Sequence, residues 1–346
     1  MANWYVKQST GDDSTGDGSS GNPYKTITKV DTVASALDHV YVAEDSPSGR
    51  SDTFTKKLFI HGCNTSWTVG AATPAIDGTG QTNCLVANDT ACDGSLLEYL
   101  EFKNATGDGF DAVAGVVELG LFRCIAHDNG LSGFGPATTS TISNWMYLLC
   151  YAYDNGLSGI VLSAYCKAIL CVAEGNGTYG IYGVTTASEA ILCLTYDNAT
   201  DGIGHSLRGV SVMNRCYGNA GSGGIVVGQS STVVLNRCTD NDYGIAYGTA
   251  DYWSMVAYNA VLGNTTDDLT PTADTIEVLE GNEESGDKGW RDTASDDYAV
   301  IPPAAIFNDP LDLPDSINQL FITAGYLPDY YGNSGAGRAH FIGQGN

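Results

Sequence analysis

Residues able to exchange protons near neutrality are few in this chain, which has five His and only 15 Lys and Arg among 346 residues. Arg215 and Arg237 each stand one residue before a cysteine, 22 positions apart, and Arg123 stands the same way before Cys124. No cluster of Asp and Glu lies in register beside them in the sequence. The ordinary reading is an outward-facing structural pair. His205, in Gly204-His205-Ser206, is a third candidate for catalysis. The acidic loop from Asp13 to Gly18 has the alternating oxygens of a calcium loop, with Asp13 and Asp17 as candidate ligands. The Glu that an EF-hand requires eleven residues after Asp13 is instead Tyr24, so a solvated turn is the simpler expectation. Beyond Ca²⁺ no cofactor is expected. His61, Cys63, Cys84 and Cys92 lack zinc-site spacing. Residues 175–180 match a dinucleotide-binding glycine pattern but no helix pattern follows them.

Any such residues must be positioned by the repeat that fills the middle of the chain. Gly followed by an apolar residue recurs at 109, 133, 159, 180, 202, 224 and 244, at intervals of 20 to 26 residues. Cys124, Cys150, Cys171, Cys193, Cys216 and Cys238 keep step with it. Between the two markers lies a polar turn, such as Asp128-Asn129-Gly130 or Asp154-Asn155-Gly156. The segments between turns are short, rich in β-formers and bounded by residues that tolerate positive φ. No sustained 3.6-residue apolar period accompanies them. The expected fold is all-β: a right-handed parallel β-helix with one coil per repeat. Equivalent residues then form ladders, with Ile160, Ile181, Ile203, Ile225 and Ile245 in one of them. The cysteines form another, as buried thiols that act as small apolar groups.

The ends carry a family likeness. Tyr5-Val6, the loop 11–21 and Tyr24-Lys25-Thr26-Ile27 resemble the opening of pectate-lyase-like β-helix proteins. The resemblance implies a short helix over the open end of the solenoid, for which Asp31 to Leu37 offers a segment with Asp31 as N-cap. Asp297-Tyr298-Ala299-Val300, Pro303 to Ile306 and Arg338 to Gly343 are similar to the closing part of such proteins, except that Phe307-Asn308-Asp309 replaces the usual Asp-Ala-Gly. The organisation expected is an N-terminal strand, loop and capping helix over 1–45, a β-helix over 46–264, a loop or linker over 265–289 and a C-terminal cap over 290–346. For lyases of this class the resemblance implies an Arg or Lys base beside Ca²⁺-binding carboxylates, the role open to Arg215 and Arg237. For galacturonan hydrolases it implies a Gly-His-Gly turn, to which Gly204-His205-Ser206 is similar, but the accompanying Arg-x-Lys is absent.

A formal charge of −25 argues against nucleic acid and anionic membranes as partners. No secretory leader and no apolar run long enough for a bilayer is visible, so synthesis in a reducing cytoplasm is expected. If the cysteines face the core, Leu149, Tyr151, Leu170, Val172, Leu192 and Leu194 form an outward apolar band, which calls for a covering subunit. Viruses of bacteria build trimeric tail spikes, fibres and capsid decorations from such β-helices. The reading reached is therefore a non-catalytic virion structural or adhesion protein. It is expected to be a homotrimer, to contact other virion proteins and to meet surface glycans. The alternative is a lyase or glycoside hydrolase that depolymerises acidic polysaccharide.

Overall fold

The computed structural model describes residues 1–45, 48–136, 143–247, 254–270, 276–280 and 283–284. Every named strand pairing in it is parallel, and the strands form three sheets of twelve, ten and ten strands. From Leu58–Cys63 onward the coils visit the sheets in a fixed order. Met146–Leu148 lies in sheet one, Tyr151–Tyr153 in sheet two and Ile160–Leu162 in sheet three, before Lys167–Ile169 re-enters sheet one. The result is a right-handed parallel β-helix. Strands of three residues suffice because each one finds hydrogen-bond partners on both neighbouring coils, and alternate residues fill a common core.

That core is built of ladders. On sheet three, Leu85, Phe110, Phe134, Ile160, Ile181, Ile203, Ile225, Ile245 and Leu269 follow one another in register. The five isoleucines singled out from the spacing thus form one row, and all five are completely buried.

The coil turns from sheet one to sheet two on a single left-handed residue. Tyr99, Arg123, Leu149, Leu170, Leu192, Met213, Leu235 and Tyr258 hold this corner with φ between 51 and 59°. A left-handed non-glycine residue costs roughly 1–2 kcal/mol. Here the corner amides are bonded across to the neighbouring coil, as in Leu149 N to Ile169 O and Leu170 N to Ile191 O, both 3.0 Å. Those bonds offset the strain.

The cysteine ladder differs from the expectation. Cys124, Cys150, Cys171 and Cys193 each follow the corner residue, but Cys216 and Cys238 lie two residues further on, inside sheet-two strands. Cys216 pairs with Thr195 rather than Cys193. The place after Cys193 in the ladder belongs to Asn214, whose Oδ1 accepts from Cys193 N at 2.8 Å. Asn236 and Asn259 continue the row. The same two-residue offset separates Arg123, a corner residue, from Arg215 and Arg237, which are strand residues. Polar asparagine can fill this core position because its amide bonds the next amide and a backbone carbonyl.

At the N-terminal end the helix runs from Ile27 to Val33, and Thr26, not Asp31, is its N-cap, accepting from Lys29 N at 2.9 Å. The earlier start turns Ile27 and Val30 onto the open end of the core, where both are completely buried. Asp31 instead accepts from the backbone and hydroxyl of Thr55. Within the stretch 265–289, expected as a loop or linker, the described residues include strands Asp267–Thr270, Ile276–Glu280 and Glu283–Glu284, which extend the three sheets; the other residues of 271–289 lie outside the described residues. The expected cap over 290–346 lies outside the described residues. Among the described residues no helix is long and apolar enough to cross a membrane.

Candidate functional site

The residues flagged by sequence do not converge. Asp13 accepts from Lys25 N, Thr26 N and the Thr26 hydroxyl, which ties the acidic loop to the helix start. Asp17 accepts from Ser19 N at 2.9 Å, and its carboxyl is held below the ordinary range by the Ser19 hydrogen bonds. Among the described residues no group of three or more His, Cys, Asp or Glu side chains is placed to hold a metal ion. His205 faces the solenoid interior, 5% exposed, with Nδ1 3.0 Å from Ser188 Oγ and Nε2 2.8 Å from Ser211 Oγ. Burial lowers its pKa to about 4, so it is neutral and both ring nitrogens are engaged inside the wall. Tyr179 and Tyr182 stack 4.2 Å apart over an outer groove whose wall His205 also lines.

Arg215 and Arg237 are in register on the outer face of sheet two, where they join a longer polar and aromatic stripe. Third positions of successive strands give Lys103, His127, Tyr153, Glu174, Tyr196, Tyr217 and Thr239. First positions add Glu101, Ile125, Tyr151, Val172, Leu194, Arg215 and Arg237. Seven strands at ~4.8 Å make a stripe of roughly 29 Å.

Its lower end is an ion cluster. Glu101 Oε1 lies 2.7 Å from Lys103 Nζ and 3.0 Å from His127 Nε2, and His127 Nδ1 lies 2.7 Å from Asp128 Oδ2. Burial opposes the imidazolium, but the hydrogen bonds to Glu101 and Asp128 outweigh it and raise the His127 pKa. Glu101 is likewise held low by His127 and Lys103 against the effect of its burial. The His127 ring stacks on Tyr153 at 4.4 Å, within 6° of parallel. In the middle, Tyr151 and Tyr196 both donate to Glu174 Oε2, which lies on the strand between them. Burial and that carboxylate raise both phenols well above the ordinary range, so they remain donors. At the upper end Tyr196 stacks on Tyr217 at 4.9 Å, and the Arg215 guanidinium sits 5.2 Å from the Tyr217 ring centre.

Along this line Tyr153, Tyr217, Arg215 and Arg237 are half-buried and reach the surface, whereas Tyr196 and His127 are buried, 2% and 9% exposed. The sequence reading found the stripe's two arginines, named Tyr151, Val172 and Leu194 only as part of an apolar band, and did not assign the other members to a site. The signal was present in the spacing, since 103, 127, 153, 174, 196 and 217 recur at the coil period. Their side chains vary in type because they face outward, so no shared residue marks the row.

The expected apolar band is outward, as the buried cysteines require. Leu149, Leu170 and Leu192 lie on the corner, while Tyr151, Val172 and Leu194 begin sheet-two strands. Stacking on their own neighbours already reduces the exposure of Leu149 to 8%, Leu170 to 7% and Val172 to 4%.

No family profile and no curated protein matches the sequence. Solved structures do match in shape. Pectate lyase Pel9A superposes with a TM-score of 0.64 at 13% identity, over 82% of this chain and 79% of that one. The GH136 lacto-N-biosidase from Eubacterium ramulus gives 0.56 at 14% identity, over 82% and 68%. The fold is thus a pectate-lyase-like right-handed parallel β-helix. It is a fold shared by polysaccharide lyases and glycoside hydrolases.

Proposed function

We propose that the chain binds acidic polysaccharide along the outer face of sheet two. The observation that carries this reading is the placement of the half-buried Tyr153, Tyr217, Arg215 and Arg237 along one outer face, with the Arg215 guanidinium against the Tyr217 ring. Aromatic rings take the C–H faces of sugars, and bonded polar groups fix their hydroxyls. Lys103 and His127 are matched by Glu101 and Asp128, but at the other end Arg215 and Arg237 stand in register in a chain of formal charge −25, which favours a ligand carrying carboxylates over a neutral one.

Two roles follow from such binding. The chain serves as an adhesin, which on a virion is a fibre or spike; what supports this is the long regular rod and its repeated outer face. The second role is depolymerisation, supported by the likeness of fold to a pectate lyase and a lacto-N-biosidase. Calorimetry with oligogalacturonate and oligoalginate, beside neutral oligosaccharides of equal length, tests the binding. Saturable binding of an acidic oligomer, lost in the Tyr217→Ala, Arg237→Ala variant, is expected. Equal affinity for neutral oligomers, or an unaffected variant, overturns the reading. Unsaturated or newly reducing ends in the same mixtures assign the depolymerase; their absence with binding intact assigns the adhesin.

A further inference from the structure

Sheet one turns an apolar row outward. The third residues of six consecutive strands, Phe122, Leu148, Ile169, Ile191, Val212 and Val234, follow one another in register. The residue before each of them is buried, so the row faces away from the core. All six side chains are half-buried. Phe122, Leu148 and Ile169 also pack against Leu149 and Leu170 of the corner, in an apolar cluster separate from the core. Met146 and Met255, 44% and 39% exposed, widen the same face beside the row.

The outer face of sheet two carries Lys103, His127, Glu174, Arg215 and Arg237, so outward apolarity is not a general property of these coils. On the strands of sheet one from Gly120 to Ala257, the outward charged residues among those described are Lys167 and Glu189. They neutralise each other at 2.9 Å. The row is therefore an electrically neutral window in a chain of formal charge −25. A parallel sheet with apolar residues on both sides is ordinarily covered on both. Six strands at ~4.8 Å make the row about 24 Å long. With the methionine side it presents on the order of 300 Å² of apolar surface, the size of patch that proteins keep for binding.

We propose that this face docks a second copy of the chain. Copies repel one another through their net charge, and the neutral window is where that repulsion is weakest. A basic partner would instead be drawn to the acidic surface outside the row. A second copy also carries the same row at the same spacing, so the ridges of one seat between the ridges of the other. The corner residues Leu192, Met213 and Leu235 border the row and extend the contact toward the roughly 800 Å² per partner of a stable interface. Docking on sheet one leaves the sheet-two stripe outside the contact.

Light scattering and peroxide footprinting of the full chain test this contact, with its four methionines as probes. At micromolar concentration in physiological salt the wild type should scatter as an assembly. Met1 should oxidise freely, and Met146 and Met255 should be protected. Ile191→Asp places a charge at the centre of the row, on an outward side chain. It should give the monomer mass and abolish the protection of both methionines. Val226→Asp, which adds the same charge on the outer face of sheet three, should leave the assembly intact. Lys167→Glu makes the window negative and should weaken association, and adding Glu189→Lys should restore it. Circular dichroism checks that each variant is folded. A monomeric wild type, an assembly that survives in folded Ile191→Asp, or an equal loss in Val226→Asp overturns the proposal. Protection of both methionines in a monomer would assign the row to a cover within the same chain and overturn it as well.

Discussion

Asn129 Nδ2 donates to Asn155 Oδ1 at 2.9 Å, and Asn155 repeats the step onto Asn176 at 3.0 Å. The chain of amides continues through Asn198, Asn219, Asn241 and Asn264. Each Oδ1 also accepts the backbone amide of the preceding ladder residue, as Asn176 Oδ1 does from Asn155 N at 3.2 Å. A row of buried polar groups is thereby satisfied from coil to coil, which keeps the neighbouring turns in one register. Asn176→Ala removes the acceptor for two donors and leaves them buried, so it should cost about 1–3 kcal/mol per unsatisfied group. Asn176→Asp keeps the acceptor oxygens but loses the donor to Asn198 and adds a buried charge. Urea titration should rank wild type above both variants. Equal midpoints would show that the ladder contributes nothing to stability.

The isoleucine row makes a different demand, because its members offer only volume. Ile203→Ala leaves a cavity bounded by Ile181 and Ile225, and such truncations cost about 2–5 kcal/mol. Ile203→Asp buries a charge with no partner in the row and should prevent folding. A folded Ile203→Asp protein of wild-type stability would contradict the observed register.

These two ladders also show what was legible in the sequence. Ile203 and its partners repeat one residue type at one phase, because every coil poses the same packing problem there. Cys216 misled for a physical reason. Small apolar groups suit both the corner-following position and the mid-strand position two residues on, so the cysteines change ladder without changing their apparent spacing. The corner itself was hidden, because Leu149 and Leu170 are not residues that usually accept positive φ.

Acid titration should reveal two opposed contributions. Burial raises Asp108 and Asp201 from an ordinary 3.8 to about 6. Between those values the folded state holds more protons than the unfolded one, so these groups make stability fall as pH rises. His205 is lowered from 6.5 to about 4 by burial, so the unfolded chain protonates first and stability falls as pH drops through that window. Asp108→Asn, which keeps an acceptor for Ser132 N, should therefore make melting temperature fall more steeply from pH 6.5 to pH 4. His205→Gln should flatten the fall. Unchanged slopes in both variants would refute the assigned burial effects.

All ten cysteines are buried and unpaired in the structure. Burial pushes the thiols of Cys63, Cys84 and Cys92 up to about 12, far from the reactive thiolate form. The native protein should therefore resist alkylation at neutral pH, and the unfolded protein should take up label at all ten positions. Mass spectrometry after denaturing alkylation without reductant counts them. Pairs that stay unlabelled until reductant is added would show disulfides and overturn the thiol assignment.

The apolar corner is the basis for expecting a homotrimer. Leu149 and Leu170 are mostly covered by their own ladder, whereas Met213 on the same corner remains 38% exposed, and Met146 and Met255 on sheet one 44% and 39%. The area left for a second copy thus lies around the leucines more than on them. Closed symmetry suits a face repeated along the rod, and a charge of −25 per chain opposes association unless salt screens it. Light scattering at micromolar concentration should give a trimer in physiological salt that dissociates as salt is removed. Leu170→Glu with Leu192→Glu should yield a monomer with a lower melting temperature, because a charge at Leu170 also breaks its stacking within the subunit. Met213→Glu, at a more exposed place on the corner, should separate the subunits with little loss of stability. A wild-type monomer under these conditions removes the basis for assembly, and a trimeric Met213→Glu protein moves the interface away from this corner.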